Sequence, residues 1–417
     1  MTISPRLLLV APPNSYRTAA FIEAARRNRI DVLVASEGRY SLVSEIAAGV
    51  HIDLQDPAAL QQLLAAGQTR PFAGVVATDD ATVELGSRVA ATLGLPHNPP
   101  EAARYSRRKD LSRRALAAGS VRIPDFRLLD LDRPLDPQLD GFTLPAVIKP
   151  LVLSASRGVI RVNTPEEARA ACLRVAKILV GESLADDFAA RHLLLETFIP
   201  GAEVALEGLL RQGRLTVLAI FDKPDPLEGP YFEETYYIKP SRHADRVQQQ
   251  LVECTRAACA ALGLREGPVH AELRIHDDGP VVMEVAARTI GGECARLLSF
   301  GTGRSLEELV ILHATGRPLT LAHADGAAGV LMLPIPGGGI LRRIEGTGAA
   351  RAVPGITDVL VTIRDGYELV PLPEGGSYLG FVFAQCPTPE EVEAALRAAH
   401  AKLNIVIAPL MQIQDTR

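Results

Sequence analysis

The chain opens without a long hydrophobic run. Its first apolar stretch, "RLLLVA", ends at Pro12 and Pro13. That is far short of the roughly 20 residues a membrane span needs, and too brief for a secretory signal, so a cytoplasmic location is expected. Cysteine is scarce: Cys172, Cys254, Cys259, Cys294 and Cys386 are scattered with no CxxC spacing. An odd, dispersed set supplies neither a disulfide framework nor a thiolate zinc site. No basic run is interleaved with aromatics and the net charge is −5, which argues against nucleic acid as a main partner. No GxGxxG follows the first strand-like run and the Walker phosphate loop is absent, so neither of those nucleotide sites is expected.

What is there is an ordinary globular composition, 47% hydrophobic and 22% charged, over 417 residues. That length exceeds what one core serves, and two or three domains or layers are expected. Strand-like "RLLLVAP", "DVLVAS" and "FAGVVATD" alternate with helical stretches at about 18–29 and 81–93. Such alternation predicts a parallel sheet with helices on its faces. A Pro- and Arg-rich segment follows, with one helix predicted over about 100–118, and marks a boundary. Beyond it, "LPAVIKPLVLSASRGVIRV" reads as two strands joined by a polar turn, and "HLLLETFIPGAEVALEGLLRQGRLTVLAIFDK" as three more. Helices are predicted at about 165–180, 184–190, 244–262, 293–300 and 305–315. The last hundred residues return to strands, with "EEVEAALRAAHAKL" an amphipathic helix near the end. "IPGGGI" fits a tight turn at least as well as a phosphate cradle.

"VHAELRIHDDGPVVMEVAARTIGGE", residues 269–293, carries the sharpest signal. It reads as a hairpin closed by a three-residue loop, Asp277, Asp278 and Gly279. That register sets His276 against Pro280 and Glu272 against Glu284. By alternation, Ala271, Leu273, Ile275, Val281, Met283 and Val285 form a core face. His270, Glu272, Arg274, Glu284 and Arg288 share the other. Opposed carboxylates repel, so either Arg274 and solvent screen them or a hard cation sits between them.

Read in order, Lys109, Lys149, the "SASRG" turn (Ser154, Ser156, Arg157, Gly158), Glu196, Ile199, Glu203, Glu272, Glu284 and Arg288 form a set. With the stretches "GVVATDDATVELGSRVAATLGLP", "LLLETFIPGAEVALEG" and "FDKPDPLEGPYFEETYYIKPS", the chain resembles the ATP-grasp superfamily over nearly its whole length. It most resembles the carboxylate–amine ligases that include bacterial L-amino acid ligases. The resemblance implies a multidomain α/β and α+β fold. Its parts are an N-terminal Rossmann-like pre-ATP-grasp domain over 1–105, ATP-grasp lobes over 106–320 and a C-terminal α/β extension over 321–417.

The resemblance also assigns roles. Lys109 and Lys149 are the phosphate lysines, and the SASRG turn is a mobile flap over the triphosphate, here with only one glycine. Glu196 accepts from the adenine amine, backbone near Ile199 reads the ring edge, and Glu203 holds the ribose. Glu272 and Glu284 carry two Mg²⁺ ions, replaceable by Mn²⁺, and Ala286 stands where many relatives have a further Asn ligand. Arg288 stabilises the transferred phosphoryl group and the oxyanion that follows, with Glu284 beside it. Gly291 and Gly292 are expected to open a helix onto an anion.

The reaction so implied joins a small carboxylic or amino acid to an amine through an acyl phosphate, releasing ADP and phosphate. Partners are then the two small molecules, with no nucleic acid and no membrane, and a homodimer is allowed. A biotin-carboxylase type activating bicarbonate, or a nucleotide-binding protein without catalysis, are the rival readings. Retention of both lysines, both glutamates and Arg288 disfavours the last. His270 is favoured as a satisfied structural histidine, while His243 and Tyr237, near the segment expected to border the acceptor pocket, have no assigned role.

Overall fold

Leu7, Leu8, Leu9 and Val10 are each fully buried, because their strand lies inside a parallel sheet covered on both faces. A computed structural model describes residues 4–37, 47–182, 184, 186–321 and 325–410. In it, Ala48–His51, Asp31–Ser36, Arg6–Val10 and Gly74–Ala77 lie side by side in that order. Helices Arg17–Arg27 and Ala59–Thr69 connect strands of this sheet, and Val83–Thr92 follows the last of them. The expected parallel sheet is present, with Ala48–His51 as an added edge strand.

The helix expected over 100–118 is two helices, Pro100–Arg107 and Lys109–Ala118. Arg108 between them is extended, at φ −97° and ψ 106°. Its buried guanidinium bonds Asp110 at 3.0 Å and Asp186 at 2.5 Å. The break places Lys109 in the first turn of the second helix, facing inward.

Phe126–Asp130, His192–Thr197, Ala146–Pro150 and Ile160–Val162 form an antiparallel sheet. Helix Pro165–Val180 covers it, with Thr164 capping its start and Cys172 and Val175 in the shared core. An eight-stranded sheet follows. Its order is Gly279–Ala286, Gly267–His276, Ala202–Arg211, Arg214–Lys223, Tyr236–Lys239, Ala327–Leu333, Gly380–Cys386, Ile356–Val361. Helix Asp245–Leu262 backs its first half and Pro389–His400 its second. The sheet continues through the sequence boundary drawn at 320/321, since Tyr236–Lys239 pairs with Ala327–Leu333. Among the described residues no helix is long and apolar enough to cross a membrane.

The hairpin turns by two residues, not three: His276 pairs with Gly279 and Ile275 with Pro280. A bulge after Leu273 and Val282 skips Met283 and restores the expected opposition of Glu272 and Glu284. Two errors in the expected register cancel. The core face therefore holds Val282, fully buried, whereas Met283 turns to the cavity described below. The strand is at the sheet edge, where a bulge costs least. Gly291 and Gly292 open no helix; the next begins at Arg296, and Gly291 and Gly292 lie in the loop before it.

Candidate active site

A cavity of about 600 Å³ gathers residues far apart in sequence. Lys109, Lys149, Ser154, Ser156, Glu196, Ile199, Glu203, Glu272, Glu284 and Arg288 all line it. Arg157 and Gly158 do not. Arg157 turns away to Glu182 at 2.5 Å and to the Glu374 carbonyl at 3.0 Å, and the Gly158 N–H donates to the Pro373 carbonyl at 2.9 Å. The turn expected to be a free flap is thus tied to a loop from the C-terminal part of the chain.

At one end the charges close on each other. Lys149 comes from a wholly buried strand, and its ammonium lies 2.5 Å from Glu196. Glu196, only 1% exposed, also receives Arg113 through two nitrogens at 2.6 and 3.2 Å. Arg113 then reaches the Met283 carbonyl at 2.6 Å, which the bulge leaves outside the strand ladder. Burial pushes the Lys149 ammonium down to about 8; Glu196 opposes this, while Arg113 and Lys109 add to it. Burial likewise disfavours charge on Glu196, but Arg113 and Lys149 outweigh it and hold its carboxyl below the usual range. Glu196 therefore serves first as the counter-ion that aims Lys149. Arg113 was not singled out from the sequence, being one arginine in the basic stretch "SRRKDLSRR".

At the other end one lysine serves three carboxylates. Carboxylate oxygens of Glu203, Glu234 and Glu272 lie within 4.8 Å of one another. Lys223 fills that cluster, contacting Glu234 and standing 2.8 Å from Glu203 and 3.2 Å from Glu272. Burial pushes the Glu234 carboxyl up to about 7 despite Lys223. On Glu272, burial is outweighed by Lys223 and His270, and its carboxyl is held well below the usual range. Arg274, a candidate to screen the glutamate pair, instead bonds Glu203 at 2.9 Å and the Ile199 carbonyl at 2.7 Å. Glu284 has Lys109 at 3.5 Å and keeps 32% of its side chain exposed. Lys109 also donates to the Leu153 carbonyl at 2.8 Å. Glu272 and Glu284 thus present oxygens to the cavity with coordination to spare, an all-oxygen donor pair suited to Mg²⁺ or Mn²⁺.

His270 stands behind this pair, 3.4 Å from Glu272 and 3.3 Å from the fully buried Glu207. Burial opposes its charge, but the two glutamates raise it to about 9. Both of its ring nitrogens thus face carboxylates. Arg288 reaches the cavity from just beyond the hairpin and meets Asp80 of the N-terminal sheet at 3.0 Å. Burial opposes ionisation of Asp80 too, and Arg288, with Lys109 and Arg17 beyond, holds its carboxyl below the usual range. Tyr16, Arg17 and Asp79 line the same wall, with Arg17 2.6 Å from Asp79. These N-terminal residues were missed. Their signal was the acidic turn after "GVVAT", at the C-terminal end of a parallel strand, where open α/β sheets place their sites.

Comparison with known proteins agrees with this geometry. Residues 142–296 match the family described as ATP-grasp domain, and residues 331–408 that described as L-amino acid ligase C-terminal domain 2. The crystal structure of an L-amino acid ligase from Bacillus licheniformis superposes with a TM-score of 0.81 at 26% identity, covering 98% of this chain and all of that one. Uncharacterized protein y4rH of Sinorhizobium fredii is 26% identical over 406 residues, 95% of this chain and 82% of its own length. Carnosine synthase 1 of Gallus gallus is 30% identical over 303 residues, 67% of this chain; the chain spans only 32% of that protein. The chain carries an ATP-grasp domain followed by an L-amino acid ligase C-terminal domain, and it belongs to the ATP-dependent carboxylate–amine ligases that form carbon–nitrogen bonds.

Proposed function

We propose that this ligase joins an L-amino acid, or a similar small carboxylic acid, to an amine such as a second amino acid. The observation that carries the reading is the convergence of Lys109, Lys149, Glu272, Glu284 and Arg288 on one cavity. ATP lies along it with the base toward Ile199 and Met283 and the phosphates toward Lys109, Lys149, Ser154 and Ser156. Glu203 remains the candidate for the ribose, and Glu196 for the adenine amine with whatever lone pairs its cations leave. Glu272 and Glu284 would hold two Mg²⁺ ions, which neutralise phosphate charge when bound. The substrate carboxylate attacks the γ-phosphorus and ADP leaves, giving an acyl phosphate. The amine then attacks the acyl carbon, and collapse of the tetrahedral adduct expels phosphate and forms the amide. Arg288 faces the oxygens on which charge develops in both steps.

The division into an N-terminal domain over 1–105, ATP-grasp lobes over 106–320 and a C-terminal subdomain over 321–417 is kept as a proposal, its last seven residues lying outside the described ones. A cytoplasmic location and a homodimer belong to the same proposal, and light scattering of the purified protein checks the second.

The decisive experiment measures phosphate release from Mg·ATP across pairs of amino acids, with product mass in parallel. Release that needs both partners and yields their condensed mass supports the reading. Release that needs bicarbonate and biotin moves the chain to the carboxylase type. ATP binding without turnover on any pair would leave only a non-catalytic role.

A further inference from the structure

The N-terminal domain reaches the cavity wall through Tyr16, Arg17 and the turn Thr78-Asp79-Asp80, at the C-terminal end of strand Gly74–Ala77. That turn is held rigidly. The Asp79 carboxylate accepts from the Ser15 hydroxyl at 2.6 Å, from the Thr78 hydroxyl at 2.5 Å and from Arg17 at 2.6 Å. Fully buried Thr82 donates its hydroxyl to the Asp79 carbonyl at 2.9 Å, fixing the backbone from below. These bonds tie Asp79 to its own turn and to Ser15 and Arg17 beside it. Asp80, the next residue, is the one left to point outward, and it meets Arg288 Nε at 3.0 Å. The Arg288 NH1 group turns back to the Thr289 carbonyl at 3.1 Å. Two of the three guanidinium nitrogens of this cavity-lining residue are therefore tied to the protein.

We propose that Asp80 is a positioning residue: it fixes the direction of Arg288, so that the N-terminal domain sets the geometry of the transition state without touching substrate. The proposal rests on the reading that Arg288 acts on the transferred phosphoryl group. An arginine carries its charge on a long stem with large rotamer freedom, and catalytic benefit depends on donors being in place before charge develops. A carboxylate on a rigid turn removes that freedom, as the shell behind a designed site must. Glu284 and Lys109 lie in the same field, so Arg288 without Asp80 would be drawn toward Glu284 and away from its aim.

The test compares Asp80→Asn, Arg288→Ala and the double variant by steady-state kinetics. Asp80→Asn is expected to lower kcat by about 10–100-fold while KM for ATP stays within about twofold, because the fault lies in the transition state alone. The double variant is expected to be no slower than Arg288→Ala, since a positioning group is worthless without its client. Asp80→Glu retains the charge that balances Arg288, guarding the fold, yet displaces the guanidinium by one methylene; it too should lower kcat several-fold with KM unchanged. Wild-type kcat in both Asp80 variants, or losses that multiply in the double variant, would overturn the proposal while leaving the Arg288 reading intact. A fully active Arg288→Ala enzyme would instead remove the reading on which the proposal rests.

Discussion

Around Glu196 two cations close in at 2.5 and 2.6 Å and water is shut out, whereas around Glu284 a lysine stands off at 3.5 Å and a third of the side chain is open. Both clusters line one cavity and both oppose carboxylates to lysines. The first is a completed ion network, whose desolvation is offset only because every charge has its partner. The second is an incomplete one, with carboxylate oxygens that a metal would satisfy. Glu196, which aims Lys149, is satisfied within the protein, whereas Glu284 is left short of partners.

Glu284→Ala should break the open cluster with the largest effect. Turnover is expected to fall by about 10³-fold, the scale of losing an electrostatic stabiliser of the transition state. Stability should change little, since a partly exposed charge is removed and its repulsion with Glu272 disappears. A melting scan beside the kinetics checks both halves. Glu196→Ala should show the opposite balance. It leaves Arg113 and Lys149 buried and unpaired, so a loss of about 3–5 kcal/mol in urea unfolding is expected. A fully stable Glu196→Ala protein would mean the closed network is not closed.

A pH profile sharpens the same contrast with a smaller effect. Burial brings the Lys149 ammonium down to about 8, so its positive charge is present below that pH and lost above it. In the free enzyme, kcat/KM for ATP should therefore decline as pH rises through about 8. Lys149→Arg, which cannot lose its charge, should flatten that limb whatever its absolute rate. The smallest effect is expected from thiol reagents. Cys172, Cys259 and Cys294 are buried and burial pushes all three thiols up, so alkylation under native conditions should leave most activity.

How far the sequence carried this account differs between the same two clusters. Glu272, Glu284 and Arg288 were legible because a hairpin's period of two puts them on one face, and carboxylates opposed across strands demand an explanation. Even there the loop length was wrong and the bulge at Met283 unseen, since nothing local marks which residue a ladder will skip. The parallel N-terminal sheet followed from simple alternation. The closed cluster was half legible: Lys149 and Glu196 interrupt apolar strands, but Arg113 is one arginine among several on a helix, and only tertiary packing selects it. Lys223 and Glu234 lay in the quoted "FDKPDPLEGPYFEETYY" without a role, because their meeting requires two strands to pair. The broken helix at Arg108 was hidden for a like reason, since its guanidinium meets Asp186, 78 residues away, as well as Asp110.

Mn²⁺ binding tests whether Glu272 and Glu284 form the incomplete pair that a metal completes. Electron paramagnetic resonance of the wild-type protein with ADP, titrated with Mn²⁺, is compared with Glu272→Gln and Glu284→Gln. Mn²⁺ affinity is expected to be at least about tenfold weaker in each variant, with nucleotide affinity in the absence of metal little changed. Equal Mn²⁺ binding in wild type and both variants would contradict it.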